Sequence, residues 1–199
     1  FISSFPVLQC LSDLRKLQYW ERLNMSILSP YKEIAANLLD LGYEPNLKSC
    51  ESAAQSGNLS ILQRLIAMNA YISPNVLGEA VKYDHLHIVQ YLRSISCPEN
   101  RRLPTLAARY GRLNILQYLH EHTTHPLDAS TVLVAAAGGH LDCLRYLLDH
   151  QCPMSAAAST AAATWGYLSC LQLLHDHGCP WKTDTCTAAA RAGHIDCLV

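Results

Sequence analysis

The sequence lacks three features that would assign the protein to a class from composition alone. No stretch approaches the ~20 consecutive apolar residues that a membrane-spanning helix needs. Neither charge sign is in excess, since 15 Lys and Arg face 16 Asp and Glu for a net charge of −1. We therefore expect no nucleic acid and no membrane surface as a partner. The first residues lack the basic segment and small-residue cleavage site of a signal peptide.

The sequence also lacks the short motifs of common catalytic sites. It contains no Gly-x-Ser-x-Gly, no phosphate-binding Gly-Lys-Ser/Thr loop and no Gly-x-Gly-x-x-Gly. It has no Cys-x-x-Cys pair, which most zinc sites use. Half of the residues are hydrophobic, which is ample for a core. The sequence therefore predicts a folded protein that is not an enzyme and carries no cofactor or metal.

Apolar residues recur every 27 or 28 positions, and this period is the main signal in the sequence. An aliphatic residue follows each small-residue turn, at Leu59, Leu86, Leu113, Leu141, Leu168 and Ile195. Further apolar residues stand three and six positions later, which is the spacing of one helical face. We predict an outer helix of about nine or ten residues from each of these positions.

An Ala-rich stretch precedes each turn and predicts a second, shorter inner helix. A residue that tolerates the left-handed conformation ends it, namely Gly57, Asp84, Gly111, Gly139, Gly166 or Gly193. A proline near the end of the outer helix stops that helix in four units, at Pro98, Pro126, Pro153 and Pro180. Each unit is thus predicted to be an inner helix, a tight turn, an outer helix and a loop.

Two short helices cannot bury their own apolar stripe, but stacked pairs form one continuous core. We therefore predict an all-α fold, an α-solenoid of stacked helix-turn-helix repeats over residues 25–199. It would comprise a degenerate first unit around Ile34 and Leu38, with Pro30 in its turn, five units from about Cys50 to Asp184, and a truncated last unit. Residues 1–24 have an amphipathic pattern and are predicted to form an N-terminal capping helix.

The second half of the unit resembles an ankyrin repeat. From Ala189 and again from Ala135, the chain reads Ala-Ala, two variable residues, Gly-His, an aliphatic residue, Asp and a Leu-rich helix. The Gly-His-Leu-Asp-Cys-Leu segment and the Cys-Pro-Trp loop at Cys179 are similar to those of a divergent ankyrin subgroup. The period is shorter than the ~33 residues of a usual repeat, and the Thr-Pro-Leu-His opening is absent. The resemblance implies an ankyrin-type stack with shortened fingers.

The nine cysteines raise the question of disulfides or metal. Eight take positions that other units fill with small or apolar residues, namely Cys50, Cys97, Cys143, Cys152, Cys170, Cys179, Cys186 and Cys197. We interpret them as buried, reduced side chains, which is typical of an intracellular and here a cytoplasmic protein. The alternative is a zinc site, with His175, His177 and Cys179 or with His120, His122 and His125 as ligands. We expect His85, His140 and His194 to cap turns by bonding to a neighbouring loop.

The resemblance implies a concave face formed by the inner helices and loops. The two residues before each turn position would project there, and six of them are candidates for binding a protein: Lys82, Tyr83, Arg109, Tyr110, Trp165 and Arg191. Tyr, Trp and Arg are enriched in interface hot spots. Trp181 could join this surface or serve packing. We predict a monomeric, non-catalytic scaffold that binds another protein.

Two other functions stay open at this point. The chain has no initiator Met and ends within a predicted helix, so we expect a piece of a longer protein. It could then be an adaptor or regulatory segment whose activity lies in another domain. The second alternative is a metal-binding or enzymatic protein built on the Cys and His residues.

Overall fold

The computed structural model describes residues 27, 32–42, 44–98, 100–123 and 127–198. The predicted capping helix 1–24, Pro30, His125 and Pro126 lie outside these residues. The described part of the chain contains twelve α-helices and no strand, which confirms the all-α prediction. The chain divides into two compact units, residues 1–99 and 100–199, so the single solenoid domain 25–199 stays a prediction.

The helices alternate between inner and outer members of each repeat. In unit 1 they are α1 (Lys32–Asp40), α2 (Ser49–Gln55), α3 (Leu59–Ala67), α4 (Val76–Lys82) and α5 (Leu86–Ser94). In unit 2 they are α6 (Leu103–Arg109), α7 (Leu113–His122), α8 (Ala129–Ala137), α9 (Leu141–Asp149), α10 (Ala156–Thr164), α11 (Leu168–Asp176) and α12 (Thr183–Ala192). A short 3-10 turn, Ile195–Cys197, follows α12.

The outer helices begin where the 27-residue period predicts. Leu59, Leu86, Leu113, Leu141 and Leu168 are each the first residue of an outer helix of 9 or 10 residues. Ile195 differs, since only a three-residue 3-10 turn follows it. The inner helices are as short as 7 residues, and α6 has Pro104 in its first turn, where the missing N–H costs no helical bond.

The turn between the two helices has the predicted left-handed residue. The five glycines of this column have φ between +69° and +77°, and Asp84 has φ +66°. The residue after each of them donates its N–H to the carbonyl of an Ala five positions back, as Asn58 does to Ala53 and Arg112 to Ala107. This bond closes the end of the inner helix and directs the chain into the outer helix.

The core of each unit consists of Leu and Ala residues that recur at the same positions of successive repeats. The outer helices bury Leu62 and Leu65 in unit 1 and Leu144 and Leu147 in unit 2 to 0% exposure. Inner helices pack in succession, α2 on α4 in unit 1 and α6, α8, α10 and α12 in a row in unit 2. Fully buried pairs such as Ala135-Ala136 lie on these helices and allow them to approach closely.

One cysteine departs from the predicted burial. Cys186 is exposed. Cys50 and Ser159 hold the same position in earlier repeats and are fully buried. Those positions are covered by the next inner helix, and no later inner helix packs on α12 within the described chain. None of the described helices combines the length and apolarity that a bilayer-crossing segment requires.

Candidate functional site

The six predicted binding residues lie at the C-terminal ends of inner helices. Lys82 and Arg109 are the last residues of α4 and α6, and Tyr83 and Tyr110 follow them. Trp165 follows α10 in the same way, and Arg191 lies in the last turn of α12. The backbone enters its left-handed turn directly after these positions, so the side chains stand at the rim of the helix pair.

In unit 1 the candidate residues contact one another. Lys82 Nζ lies 4.0 Å from Glu79 Oε2 and 5.1 Å from the centre of the Tyr83 ring. Gln55 Nε2, in the preceding repeat, donates to the Tyr83 hydroxyl at 2.9 Å. The ammonium group of Lys82 and the hydroxyl of Tyr83 therefore already have partners within unit 1.

In unit 2 the candidates are more open. Trp165 is 63% exposed, Arg109 and Arg191 are exposed, and Tyr110 is half-buried. Among the residues that the structure describes, none forms an ion pair or hydrogen bond with the guanidinium groups of Arg109 and Arg191. These three exposed side chains have their polar and aromatic surface available for a partner.

The turn histidines have the capping role that the sequence predicts. His85 Nε2–H donates to the carbonyl of Gln55 at 3.0 Å, and His140 Nε2–H donates to the carbonyl of Arg109 at 2.9 Å. Each ring lies on the glycine of the preceding turn, so closely that a Cβ at Gly57 would stand 2.6 Å from a His85 ring carbon. The His194 ring lies on Gly166 in the same way. The prediction is confirmed for His85 and His140.

Several contacts between neighbouring repeats were missed by sequence reasoning, and two of them lie in unit 2. Tyr167 occupies the histidine position of its unit, and its ring lies on Gly139. The Thr160 and Thr185 hydroxyls lie 3.2 Å apart and join α10 to α12. The repeat columns could have indicated Tyr167, because it aligns with His140, but a pair of hydroxyls leaves no signal in one sequence.

The three residues of the alternative zinc site, His175, His177 and Cys179, each contact a different partner. His175 stands edge-on to the Trp181 ring at 5.6 Å, and His177 Nδ1–H donates to the carbonyl of Leu173 at 2.9 Å. The Cys179 thiol donates to the carbonyl of Ser155 at 3.4 Å. In the described ranges no three His, Cys, Asp or Glu side chains are grouped as metal ligands. His125 of the second trio lies outside those ranges.

Most of the described cysteines are buried, and burial raises the pKa of several of them. Cys50, Cys97, Cys143, Cys152, Cys170, Cys179 and Cys197 are buried, and all eight described cysteines are free thiols. Burial, with the neighbouring Cys97 and Glu51 adding to it, raises the pKa of Cys50 to about 11. Burial also raises the pKa of Cys170. Because the thiolate is the nucleophile, the raised pKa makes Cys50 and Cys170 poor nucleophiles at neutral pH.

Asp128 provides the clearest electrostatic feature of unit 2. Its carboxylate accepts the hydroxyl of Ser130 at 2.6 Å and the backbone N–H of Thr131 at 3.0 Å, which caps the N-terminus of α8. These hydrogen bonds, the Ser130 hydroxyl first, lower the pKa of Asp128. One oxygen of this exposed carboxylate, Oδ1, therefore accepts both of these hydrogen bonds.

Comparison with known proteins identifies the class of this fold. The family model of ankyrin repeats, in three copies, matches residues 105–184. The crystal structure of the human ASB11 ankyrin repeat domain superposes with a TM-score of 0.67 at 16% sequence identity, covering 88% of this chain and 96% of that chain. No curated protein matches the chain by sequence.

The chain therefore has the fold of an ankyrin repeat domain, an all-α solenoid of helical repeats. Residues 105–184 also match the ankyrin-repeat model in sequence. Ankyrin repeats are generally modules of protein–protein interaction, and the fold is typical of proteins without catalytic activity. The resemblance deduced from the Gly-His-aliphatic-Asp segments is thus confirmed.

Proposed function

We propose that the chain is a non-catalytic, monomeric scaffold that binds another protein along the C-terminal ends of its inner helices. The observation that carries this proposal is the exposure of Trp165, Arg109 and Arg191. Burying such side chains against a partner is how a few residues come to dominate an interface. In the repeat frame these positions vary from unit to unit, while the Leu, Ala and turn positions recur.

The proposal includes a reducing, intracellular location, without nucleic acid or membrane as partner. The support is chemical, since seven cysteines are buried as free thiols and none of the described ones is paired. The raised pKa of Cys50 and Cys170 makes these two thiols poor nucleophiles, which also favours binding over catalysis. The near balance of charge in the whole chain gives nucleic acid no general electrostatic attraction.

A photo-crosslinking experiment tests the position of the surface. A benzoylphenylalanine introduced at Trp165 is expected to crosslink a partner protein in extract from the native source. The matched control places the same probe at Tyr71, which is 56% exposed in a loop of unit 1. A second arm compares capture by wild type with capture by Tyr110→Ala plus Trp165→Ala, after circular dichroism shows that the fold is intact. Unchanged capture by this variant, or equal crosslinking from Tyr71, contradicts the proposed surface.

A further inference from the structure

The charged residues of unit 2 are segregated between its inner and outer helices. The inner helices and the loops that lead into them carry five basic residues and two acidic ones: Arg101, Arg102, Arg109, Lys182 and Arg191 against Asp128 and Asp184. The outer helices and their turns carry the reverse: Arg112 and Arg145 against Glu121, Asp142, Asp149, Asp176 and Asp196. Unit 2 is neutral as a whole, but its inner side is positive.

The two carboxylates on the inner side differ in their contacts. Asp128 is one of its two carboxylates, and it is held by Ser130 and Thr131 at the start of α8. Asp184 is then the one acidic group of this side that is not used in a helix cap. The described inner helices of unit 1 show no such excess, because Lys82 is paired with Glu79 there.

Two exposed arginines lie at the two ends of an uncharged surface. The inner helices α8 and α10 form this surface, which we call the floor. Arg109 ends α6 and Arg191 lies near the end of α12, while α8 and α10 between them carry no charged residue. The accessible side chains of these two helices are small or aliphatic, such as Ala137, Ala157 and Thr164. Neighbouring helix axes lie about 10 Å apart, so the two arginines are separated by roughly 30 Å.

A groove lies on this floor beside the exposed tryptophan. Its volume is about 500 Å³, and its walls include Ala157, Ala161, Trp165, Lys182 and Asp184. The indole provides apolar area on one side, while the small side chains of α10 let a partner backbone approach closely. The groove therefore suits an apolar or aromatic side chain between the two cationic ends.

We propose that unit 2 binds an extended acidic segment of another protein across its inner helices. Carboxylates of the segment pair with Arg109 and Arg191, and a side chain between them packs against Trp165. An extended chain covers ~30 Å in about nine residues, so the two carboxylates are about nine residues apart. This inference rests on the proposed function, since it names the chemistry of the partner at the same surface.

An acidic protein fits these features better than a nucleic acid does. A phosphate backbone presents a charge at every nucleotide and is bound by a continuous row of cations. The floor between Arg109 and Arg191 spans two helices without a cation. Arginine forms bidentate pairs with carboxylates, so two separated guanidinium groups can recognise two separated acidic residues.

The test uses the full chain and a library of displayed random 16-residue peptides as the probe. We expect the enriched peptides to carry Asp or Glu at both ends and an apolar residue between them. Binding of the most enriched peptide is then measured by fluorescence anisotropy at low and moderate salt. Arg109→Glu plus Arg191→Glu should weaken it by at least about tenfold, since each loses a charge-assisted pair. A peptide with Lys in place of the acidic residues should bind this variant better than wild type.

Arg145→Glu, on the outer helix α9, is the matched control and should leave the affinity unchanged. Enriched peptides that depend on Trp165 but show no acidic excess would overturn this inference and leave the proposed function standing. The absence of any Trp165-dependent peptide would contradict both. Tighter binding of a 20-nucleotide single strand, or self-association in sedimentation that Arg109→Glu plus Arg191→Glu abolishes, would also overturn it, because the occupant would then be a nucleic acid or a second copy.

Discussion

The imidazole of His140, at the start of α9, donates from Nε2 to the backbone carbonyl of Arg109, at 2.9 Å, in the preceding repeat. The same ring covers Gly111, and an equivalent bond joins His85 to Gln55 in unit 1. The residue that immediately precedes one outer helix therefore satisfies a carbonyl at the end of the inner helix of the preceding repeat. This contact couples successive repeats at the side where Arg109 presents its guanidinium group.

Removing the His140 ring should destabilise unit 2. We expect His140→Ala to lower the free energy of unfolding by about 1–2 kcal/mol, because a hydrogen bond and a packed ring are lost together. Chemical denaturation followed by circular dichroism measures this change. Gln90→Ala, at an exposed position of α5, is the control and should cost less than ~0.5 kcal/mol. Equal effects of the two substitutions would show that the cross-repeat bond contributes nothing to stability.

A pair of glycines allows the cost of backbone strain to be measured separately from the cost of a clash with the histidine ring. Gly111 and Gly178 have φ of +70° and +72°, so an alanine at either position costs roughly 1–2 kcal/mol. A Cβ at Gly111 would in addition stand 2.5 Å from His140 Nδ1, whereas Gly178 has open space around it. Gly111→Ala should therefore cost at least ~1 kcal/mol more than Gly178→Ala in urea unfolding. Equal costs would mean that the ring moves aside freely.

The cap at Asp128 makes part of the stability of unit 2 depend on pH. Because its pKa is lowered in the folded state, its contribution is present above the usual carboxyl pKa and is lost as pH falls through the lowered value. Asp128→Ala should cost about 1 kcal/mol at pH 7, and the difference from wild type should shrink below pH ~4. Urea unfolding at pH 7, 5 and 3 checks this.

Ser155→Ala provides the control for that series, since Ser155 precedes α10 at the equivalent position but makes no side-chain cap bond. Its effect should be small and the same at every pH. A pH-independent gap for Asp128→Ala would show that the carboxylate is not bonded to the helix in its charged form.

The cysteines should differ in their reaction with iodoacetamide at pH 8. Cys186 is exposed and should be alkylated first. Cys50, with a pKa of about 11, forms little thiolate at this pH and is fully buried. It should react only when its repeat unfolds. Peptide mapping by mass spectrometry gives the order, and equal rates for Cys50 and Cys186 would contradict the packing described for unit 1.

The repeat pattern could be predicted from the sequence because every repeat requires the same residue types at the same positions. Leucine at the start of an outer helix, paired alanines and a left-handed residue recur for steric reasons that act within one unit and its neighbour. Asp84 has the predicted left-handed conformation, with φ +66°, because Asp is one of the few residues other than Gly that tolerate it. The capping of turns by His85 and His140 followed from the same columns.

Whether a given surface residue is paired within the protein or open to a partner could not be predicted in this way. Lys82 and Arg109 hold equivalent positions, yet Lys82 is paired with Glu79 whereas Arg109 is open. That difference depends on which residue stands one helical turn away, Glu79 in α4 and Leu106 in α6. The exposure of Cys186 similarly depends on the absence of a described inner helix beyond α12, which a column of residues does not show.

The contact between ring and glycine also sets where a repeat can be cut out. Gly111 and His140 come from successive repeats, as do Gly139 and Tyr167. Excising residues 112–139 would join Gly111 directly to His140 and leave Tyr167 to cover Gly111. The turn glycines Gly57, Gly111 and Gly166 would each keep a ring against them, so a shortened chain should retain its helicity per residue in circular dichroism. A cut of half that length from the same residue would instead shift the following helices out of the repeat register, with loss of helical signal.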